Sequence, residues 1–596
     1  MIKERLSKLR SLMKKNKVDA YIIPSTDAHA SEYVPALWQR RAWISGFTGS
    51  AGDVVVTADK AGMWTDSRYF LQAENQLADS GIDLFKLGQP ETPSIIQFLK
   101  DELKEGQAAG IDPCLQSHNE AVEMQKELAA KKIQLKYLED NLVDQIWTDQ
   151  PELPNEPLMI WDEKYAGESA ESKVQRIREK MAAEGADIHV LTMLDAIAWT
   201  FNIRSTDVDF NPVVISYALI TAEKAEIFCS LKKAGRKSKK ALKKAAKIYD
   251  YGDFKKRLLK YTKKKSRVWL DGGSVNQWVV SLVEKKKAQI IYKESPVVLF
   301  KAMKNETELK GIKASHIRDG IAVVKFLHWL ENAVPKGGVS EMSASDKLAS
   351  FRKEQEHFKG LSFETISAVN EHAAIVHYTS SAETDVPIKA PGIYLIDSGG
   401  QYLDGTTDIT RTIAFGEPSA EQKDRFTRIL KGWIEIMRAS FPRGTQGIQL
   451  DTLARKALWE IGLNYGHGTG HGVGAFLGVH EGPQGISYYR GIGVPLELGM
   501  LCSNEPGFYK EGEYGFRVEN LIYVVKDDDK SSDDFEFYKF ENVTFCPIEL
   551  GLIEKSLLTA DEIKFINEYH KEVHEKLSPH LDGVELSWLT KAARPL

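Results

Sequence analysis

Between Ile393 and Tyr523 the chain carries acids and histidines whose types and spacing suit the binding of a cation. An apolar stretch, Ile393-Tyr-Leu-Ile, ends at Asp397, and turn-forming residues run from Ser398 to Gly405. Thr406-Thr-Asp-Ile-Thr-Arg-Thr-Ile413 then reads as a second strand. Side chains alternate across a strand, so Thr406, Asp408, Thr410 and Thr412 share one polar face. If the two strands pair antiparallel, Asp397 and Asp408 point into one space. Two facing carboxylates repel unless a proton or a cation lies between them. Read alone, both acids also fit as turn and surface residues.

Downstream, Tyr465-Gly-His-Gly-Thr-Gly-His-Gly-Val-Gly474 has glycine at every second position. Glycine permits close backbone approach, and this density argues against a helix. An extended segment puts His467, Thr469, His471 and Val473 on one face. The two histidines are then about 13 Å apart, too far to share one metal. The pattern therefore predicts one ligand and one histidine lining a cleft. His480 follows in the loop signal Val479-His-Glu-Gly-Pro483. Glu505 precedes a Pro-Gly turn and is pushed toward extended geometry. Gly515-Phe-Arg-Val-Glu-Asn-Leu-Ile-Tyr523 reads as one strand with Arg517 and Glu519 on the same face, where the glutamate alone would be an ordinary acid paired with arginine.

These residues need a scaffold, and the chain is long enough for several domains. It has 596 residues, 42% hydrophobic and 27% charged, an ordinary globular mixture. A net charge of −5 gives no global attraction to nucleic acid or to anionic membranes. The start lacks a signal-peptide pattern, no apolar run approaches membrane-spanning length, and the four cysteines are widely separated. The expectation is a soluble cytoplasmic protein with reduced thiols.

Three blocks are expected. Residues 1–147 open with an amphipathic helix (Leu6, Leu9, Leu12, Met13), then a buried-strand pattern at Ala20-Tyr-Ile-Ile and a hairpin pattern from Asp53 to Trp64. A proline-rich linker begins at Thr148. Residues 148–303 repeat the order, with a helix over Glu171–Ala183, a strand at Ile188, and a hairpin pattern from Pro212 to Cys229. Ala198-Trp199 echoes Ala42-Trp43, so a duplicated α/β domain is expected. The lysine-rich stretch from Lys232 to Arg267 has Ala241, Leu242, Ala245, Ala246 and Ile248 at helical spacing, and reads as a solvated helix face rather than a nucleic-acid patch. Residues 304–596 begin with a capping signal, Asn305 and Glu308, ahead of a helix face of Leu309, Ile312, Ile317, Ile321, Val324 and Leu327.

Together Asp397, Asp408, His471, Glu505-Pro-Gly and Glu519 resemble the five-ligand signature of the pita-bread metallopeptidases. The strings Asp397 to Thr412 and Gly466 to Gly474 most resemble the three-domain cytosolic aminopeptidase P group. Asp27-Ala-His-Ala-Ser-Glu-Tyr33, Arg41-Ala-Trp-Ile-Ser-Gly-Phe47 and Met63-Trp-Thr-Asp-Ser-Arg-Tyr-Phe70 extend the likeness over the chain. The resemblance implies a fold of α/β and α+β type, with two creatinase-like N-terminal domains followed by a pita-bread catalytic domain. It implies two divalent metals, most often manganese, with Asp397 on one, Asp408 and Glu519 bridging both, and His471 and Glu505 completing the shells. His377, His467 and His480 match its cleft histidines, which orient substrate; Glu505 is the candidate proton shuttle. The implied activity is release of the first residue from peptides with proline second, by attack of a metal-bridging hydroxide on the scissile carbonyl. A homodimer is implied, for which Trp459 is a candidate interface aromatic, and no nucleic-acid or membrane partner. Mostly oxygen ligands suit manganese, and four carboxylates offset two dications. The competing readings are a prolidase-type dipeptidase, methionine aminopeptidase, and a non-catalytic binding protein on the same fold.

Overall fold

The computed structural model describes residues 1–489 and 491–596. The chain forms two compact units, one built almost wholly from residues before Val298 and the other from the residues after it.

The first unit contains two six-stranded sheets. Its opening helix, α1 (Ile2–Lys15), buries Leu6, Leu9 and Met13. The first sheet comprises β1 (Ala20–Ile23), β2 (Asp53–Thr57), β3 (Ala61–Thr65), β4 (Asp83–Lys86), β5 (Ala108–Ile111) and β6 (Gln134–Tyr137), in the order β4-β3-β2-β1-β5-β6. The second comprises β7 (Ile188–Leu191), β8 (Tyr217–Thr221), β9 (Ala225–Phe228), β10 (Lys247–Tyr249), β11 (Arg267–Leu270) and β12 (Gln289–Tyr292), in the order β10-β9-β8-β7-β11-β12. The two orders are the same when each sheet is counted from its own first strand. The pairing directions also repeat. β1/β2/β3 and β7/β8/β9 are antiparallel ladders, and every other neighbouring pair is parallel. Ala42-Trp43 lies in the short helix α2 (Arg40–Ser45) and Ala198-Trp199 in α3 (Leu194–Phe201), at equivalent places in the two repeats.

The lysine-rich stretch differs from the helical reading. It holds two short helices, Arg236–Leu242 and Phe254–Tyr261, and Ile248 lies between them on β10. The buried Leu242, Ala245 and Ala246 spread over a helix end and a turn that lead to an edge strand. The β-branched Ile248 and aromatic Tyr249 suit that strand.

The second unit begins with α4 (Glu306–Ala333). Asn305 and Glu308 form the expected reciprocal capping box, a feature that stabilises a helix by about 1 kcal/mol. Ile312, Ile321, Val324 and Leu327 are buried, whereas Leu309 and Ile317 are partly exposed. Next come α5 (Glu341–Lys353) and the three-stranded sheet of β13 (Ile366–Val369), β14 (Gly392–Ser398) and β15 (Ile409–Phe415). Two helices, α6 (Ala420–Met437) and α7 (Gly447–Trp459), follow. A second, six-stranded sheet includes β16 (Gly470–Gly472), β17 (Leu501–Asn504) and β19 (Asn520–Lys526), and between the last two the strand β18 (Tyr514–Arg517) belongs to a two-stranded ribbon. The core here is aromatic-rich, with Phe426, Trp433, Phe516 and Tyr569 among its buried members.

Two expectations about this unit change. The glycine-rich segment is extended only over Gly470–Gly472, with bends near His467, so no continuous face from His467 to Val473 exists. The strand expected from Gly515 to Tyr523 is broken at Val518–Glu519, which turns the chain from one sheet into another. Among the described residues all four cysteines are free, and no helix is long and apolar enough to cross a membrane.

Candidate active site

The hairpin of β14 and β15 sets the first two acids. These strands are antiparallel with Asp397 opposite Thr410, so Asp408 is the diagonal neighbour of Asp397 on the same face. Both are buried. His471 comes from β16. Gly470 beside it has no room for a Cβ, which would lie 1.9 Å from the Ser503 carbonyl oxygen, so glycine is what lets β16 approach β17. Glu505 leaves the end of β17, and its N–H donates to the Thr469 carbonyl at 2.8 Å. Glu519 sits at the strand break, its N–H bonded to the Thr410 carbonyl at 3.1 Å and its Oε2 accepting from Thr410 Oγ1 at 2.8 Å.

The side chains converge. One ligand atom each from Asp408, His471 and Glu519 lie within 4.8 Å of one another. His471 Nε2 is 3.5 Å from Asp408 Oδ2 and 3.5 Å from Glu505 Oε1. Asp397 Oδ2 lies 2.5 Å from Arg517 Nη2. Thus Arg517 pairs with Asp397.

The electrostatics are those of carboxylates crowded away from water. Burial first, and then Asp397, push the Asp408 carboxyl up to about 8. Burial raises Glu505 to about 7. Glu519 is raised well above the carboxylate range by burial, then by Asp408, Asp397 and Glu505. Asp397 Oδ1 and Asp408 Oδ1 are buried without hydrogen-bond partners. Four acids with one arginine among them repel one another when ionised, and orphaned carboxylate oxygens of this kind fit hard divalent cations.

The histidine tautomers follow from their neighbours. His471 Nδ1 lies 2.9 Å from the Gly472 carbonyl oxygen, which can only accept, so Nδ1 carries the proton. The Nε2 lone pair then faces the acids, as a metal ligand requires. His467 Nδ1 likewise faces the Gly468 carbonyl at 2.8 Å, and its Nε2 lies 2.8 Å from the Tyr509 hydroxyl. Arg517 Nη1 donates to that hydroxyl at 2.7 Å, so the phenol O–H points to His467. The His480 ring meets the His471 ring edge-on at 4.3 Å between centroids. Lys301 and Lys304, both buried, hold the adjacent Glu481 carboxylate at 2.9 and 2.5 Å. His377 lies in the turn after the short helix Asn370–Ala374, which packs on β18; a Cβ on Gly515 would come 1.8 Å from the Ala373 carbonyl oxygen. His377, His467, His471 and His480 are all partly exposed.

The structure therefore brings Asp397, Asp408, His471, Glu505 and Glu519 into one cluster, sets His480 beside His471, and links His467 to Asp397 through Tyr509 and Arg517. Sequence reasoning did not single out Tyr509, Thr410 or Glu481 for the site. Their signals were weak, although Thr410 was on the polar face already recognised. Arg68, in the Met63–Phe70 string, pairs with Asp66 at 2.7 Å.

Comparison with known proteins agrees with this geometry. Residues 310–526 match metallopeptidase family M24, and 536–596 match the C-terminal region of that peptidase. Residues 5–142 and 149–308 each match a creatinase/prolidase N-terminal domain. The architecture is thus two creatinase-type domains followed by a pita-bread catalytic domain. Aminopeptidase P2 of Arabidopsis thaliana is 41% identical over 100% of this chain and 89% of its own length. The crystal structure of X-prolyl aminopeptidase from Caenorhabditis elegans, described as a cytosolic enzyme with a di-nuclear active site, superposes with a TM-score of 0.95. It is 37% identical and covers all of both chains. An Xaa-Pro dipeptidase from Bacillus anthracis has a TM-score of 0.51 and 26% identity, covering 64% of this chain and 99% of its own. From its full-length likeness to the first two of these proteins, the chain belongs to metallopeptidase family M24, in the aminopeptidase P branch.

Proposed function

We propose that this protein is a metal-dependent aminopeptidase that hydrolyses the Xaa-Pro bond at a peptide N-terminus and releases the first residue. The convergence of three buried acids, the partly exposed Glu505 and a histidine whose Nδ1 carries the proton carries the reading. Its full-length relatives favour it over a dipeptidase, whose solved example covers only 64% of the chain. We assign Asp397, Asp408, His471, Glu505 and Glu519 as ligands of two divalent cations, with Mn2+ the metal best suited to this oxygen-rich set. When bound, such cations polarise a carbonyl and supply a nucleophile at neutral pH.

The chain's own residues do the rest. Glu505 takes and returns a proton at Oε1, the carboxylate oxygen nearest His471. His377, His467 and His480 orient the peptide and stabilise charge that develops on the scissile carbonyl. The proline nitrogen has no N–H before cleavage, so it must gain a proton on leaving; Glu505 or a cleft histidine supplies it. Thr410 holds Glu519, and Arg517 holds Asp397, so both carboxylates are fixed before substrate arrives.

We place the domain boundaries near residues 147 and 303, and the protein in the cytoplasm. A homodimer is supported by an exposed aromatic patch. Trp459 is 48% exposed and one turn beyond Arg455, whose guanidinium lies 4.7 Å from the ring of the half-exposed Tyr488. The activity test is removal of metal with a chelator, re-addition of Mn2+, and assay of Arg-Pro-Pro beside a Xaa-Pro dipeptide. Cleavage of the tripeptide, lost on chelation and restored by Mn2+, is expected. Full activity without metal refutes the mechanism, and cleavage of the dipeptide alone selects the prolidase reading.

A further inference from the structure

One buried carboxylate clips both ends of the loop that carries His377. Glu341 opens α5, and its side chain has no solvent exposure. Its Oε1 accepts the Val369 N–H at 2.8 Å, where the loop leaves β13. Its Oε2 accepts the Tyr378 O–H at 2.9 Å, one residue beyond His377. Between these points His372 Nδ1 lies 3.0 Å from both oxygens, and its ring stacks on that of Tyr378 at 4.4 Å. The Glu341 carboxylate accepts, so Nδ1–H is the donor, and this hydrogen bond raises the His372 pKa. Among the described residues His372 is the one ion-pair partner of Glu341. The backbone ties the same elements together. Glu341 O accepts from Ser367 Oγ at 2.7 Å, and Glu341 N donates to the Val386 carbonyl at 3.1 Å.

Loops carry functional groups, but a rigid element must fix them, and a shift of about 1 Å can cost roughly 100-fold in rate. We propose that Glu341, His372 and Tyr378 form a brace that positions the His377 imidazole against the substrate, which makes Glu341 and His372 positioning residues for the reaction. The proposal rests on the aminopeptidase reading above. It requires no contact between Glu341 and substrate. All of its action passes through the loop from Val369 to Tyr378.

A double-mutant cycle tests this coupling in the full-length, Mn2+-loaded protein. His372→Ala is expected to lower kcat/KM for Arg-Pro-Pro about 10-fold, with metal content unchanged. In a His377→Ala background the same change is expected to cost less than about 2-fold, because the group being positioned is gone. An equal loss in both backgrounds, or no loss in the wild-type background, overturns the proposal. Glu341→Gln should behave in the same way; should it not fold, the partly exposed His372 carries the test. Amide hydrogen exchange without substrate separates this proposal from the activity itself. Both variants should lose protection over residues 369–378, and unchanged protection overturns the brace even in an active enzyme. A wild-type protein that fails to cleave the tripeptide, yet shows this exchange response, refutes the activity and not the brace.

Discussion

Proton placement decides the chemistry of individual side chains here. His471 and His467 each spend Nδ1–H on the carbonyl of the following glycine, yet their Nε2 atoms meet different partners. That of His471 faces Asp408 and Glu505, and that of His467 faces a phenol. Glu505→Gln keeps the size of the side chain and one oxygen but cannot shuttle a proton. Its kcat on Arg-Pro-Pro should fall by about 100-fold or more in steady-state assays with Mn2+ in excess. A rate near wild type would remove Glu505 from the scheme. Tyr509→Phe deletes the hydroxyl that joins His467 to Arg517. It should lower kcat/KM by roughly 10-fold while the bound metal, measured by elemental analysis, stays constant.

At the scale of elements, the site depends on backbones that approach unusually closely. Gly515 lets β18 lie against the turn that leads to His377, and a Cβ there would sit 1.8 Å from the Ala373 carbonyl oxygen. Gly515→Ala must displace one of the two segments. Kinetics on the tripeptide should show a loss of about 10-fold or more in kcat/KM, with far-UV circular dichroism little changed. A second element-scale effect lies in the N-terminal unit. His189 on β7 is fully buried between the Trp269 carbonyl and Ser295, and burial depresses its pKa to about 4. The unfolded chain takes up this proton near pH 6.5 and the native protein only near pH 4. The stabilising contribution is therefore complete above pH 6.5 and is lost as pH falls through 4. Urea titrations should find that His189→Gln weakens the acid-side decline in stability by roughly 3 kcal/mol. An unchanged acid limb would show that His189 is not the group responsible.

For the whole molecule, the exposed patch around Trp459 and Tyr488 leads to a test of assembly. Sedimentation equilibrium should find a dimer for the wild type and a monomer for Trp459→Glu, and a monomer in both would discard the dimer. Much of the molecule was legible in the sequence. The duplicated α/β domain followed from two occurrences of helix, strand and hairpin. The capped helix after residue 304 followed from Asn305 and Glu308, and the polar face of Thr406 to Thr412 from simple alternation, because each of these depends on neighbours close in the chain. The broken strand at Glu519, the short helix before Ile248 and the bend at His467 were not legible, since in each place tertiary pairing overrode a local pattern. Sequence also could not assign Arg517 to Asp397, or name Glu341 and Tyr509, whose partners lie far away along the chain. Residue types and spacing by themselves determined that acids and imidazoles were available for metal chemistry. Only the tertiary structure decided which of them share one dry space, because burial and mutual repulsion of charge arise when distant segments are packed together.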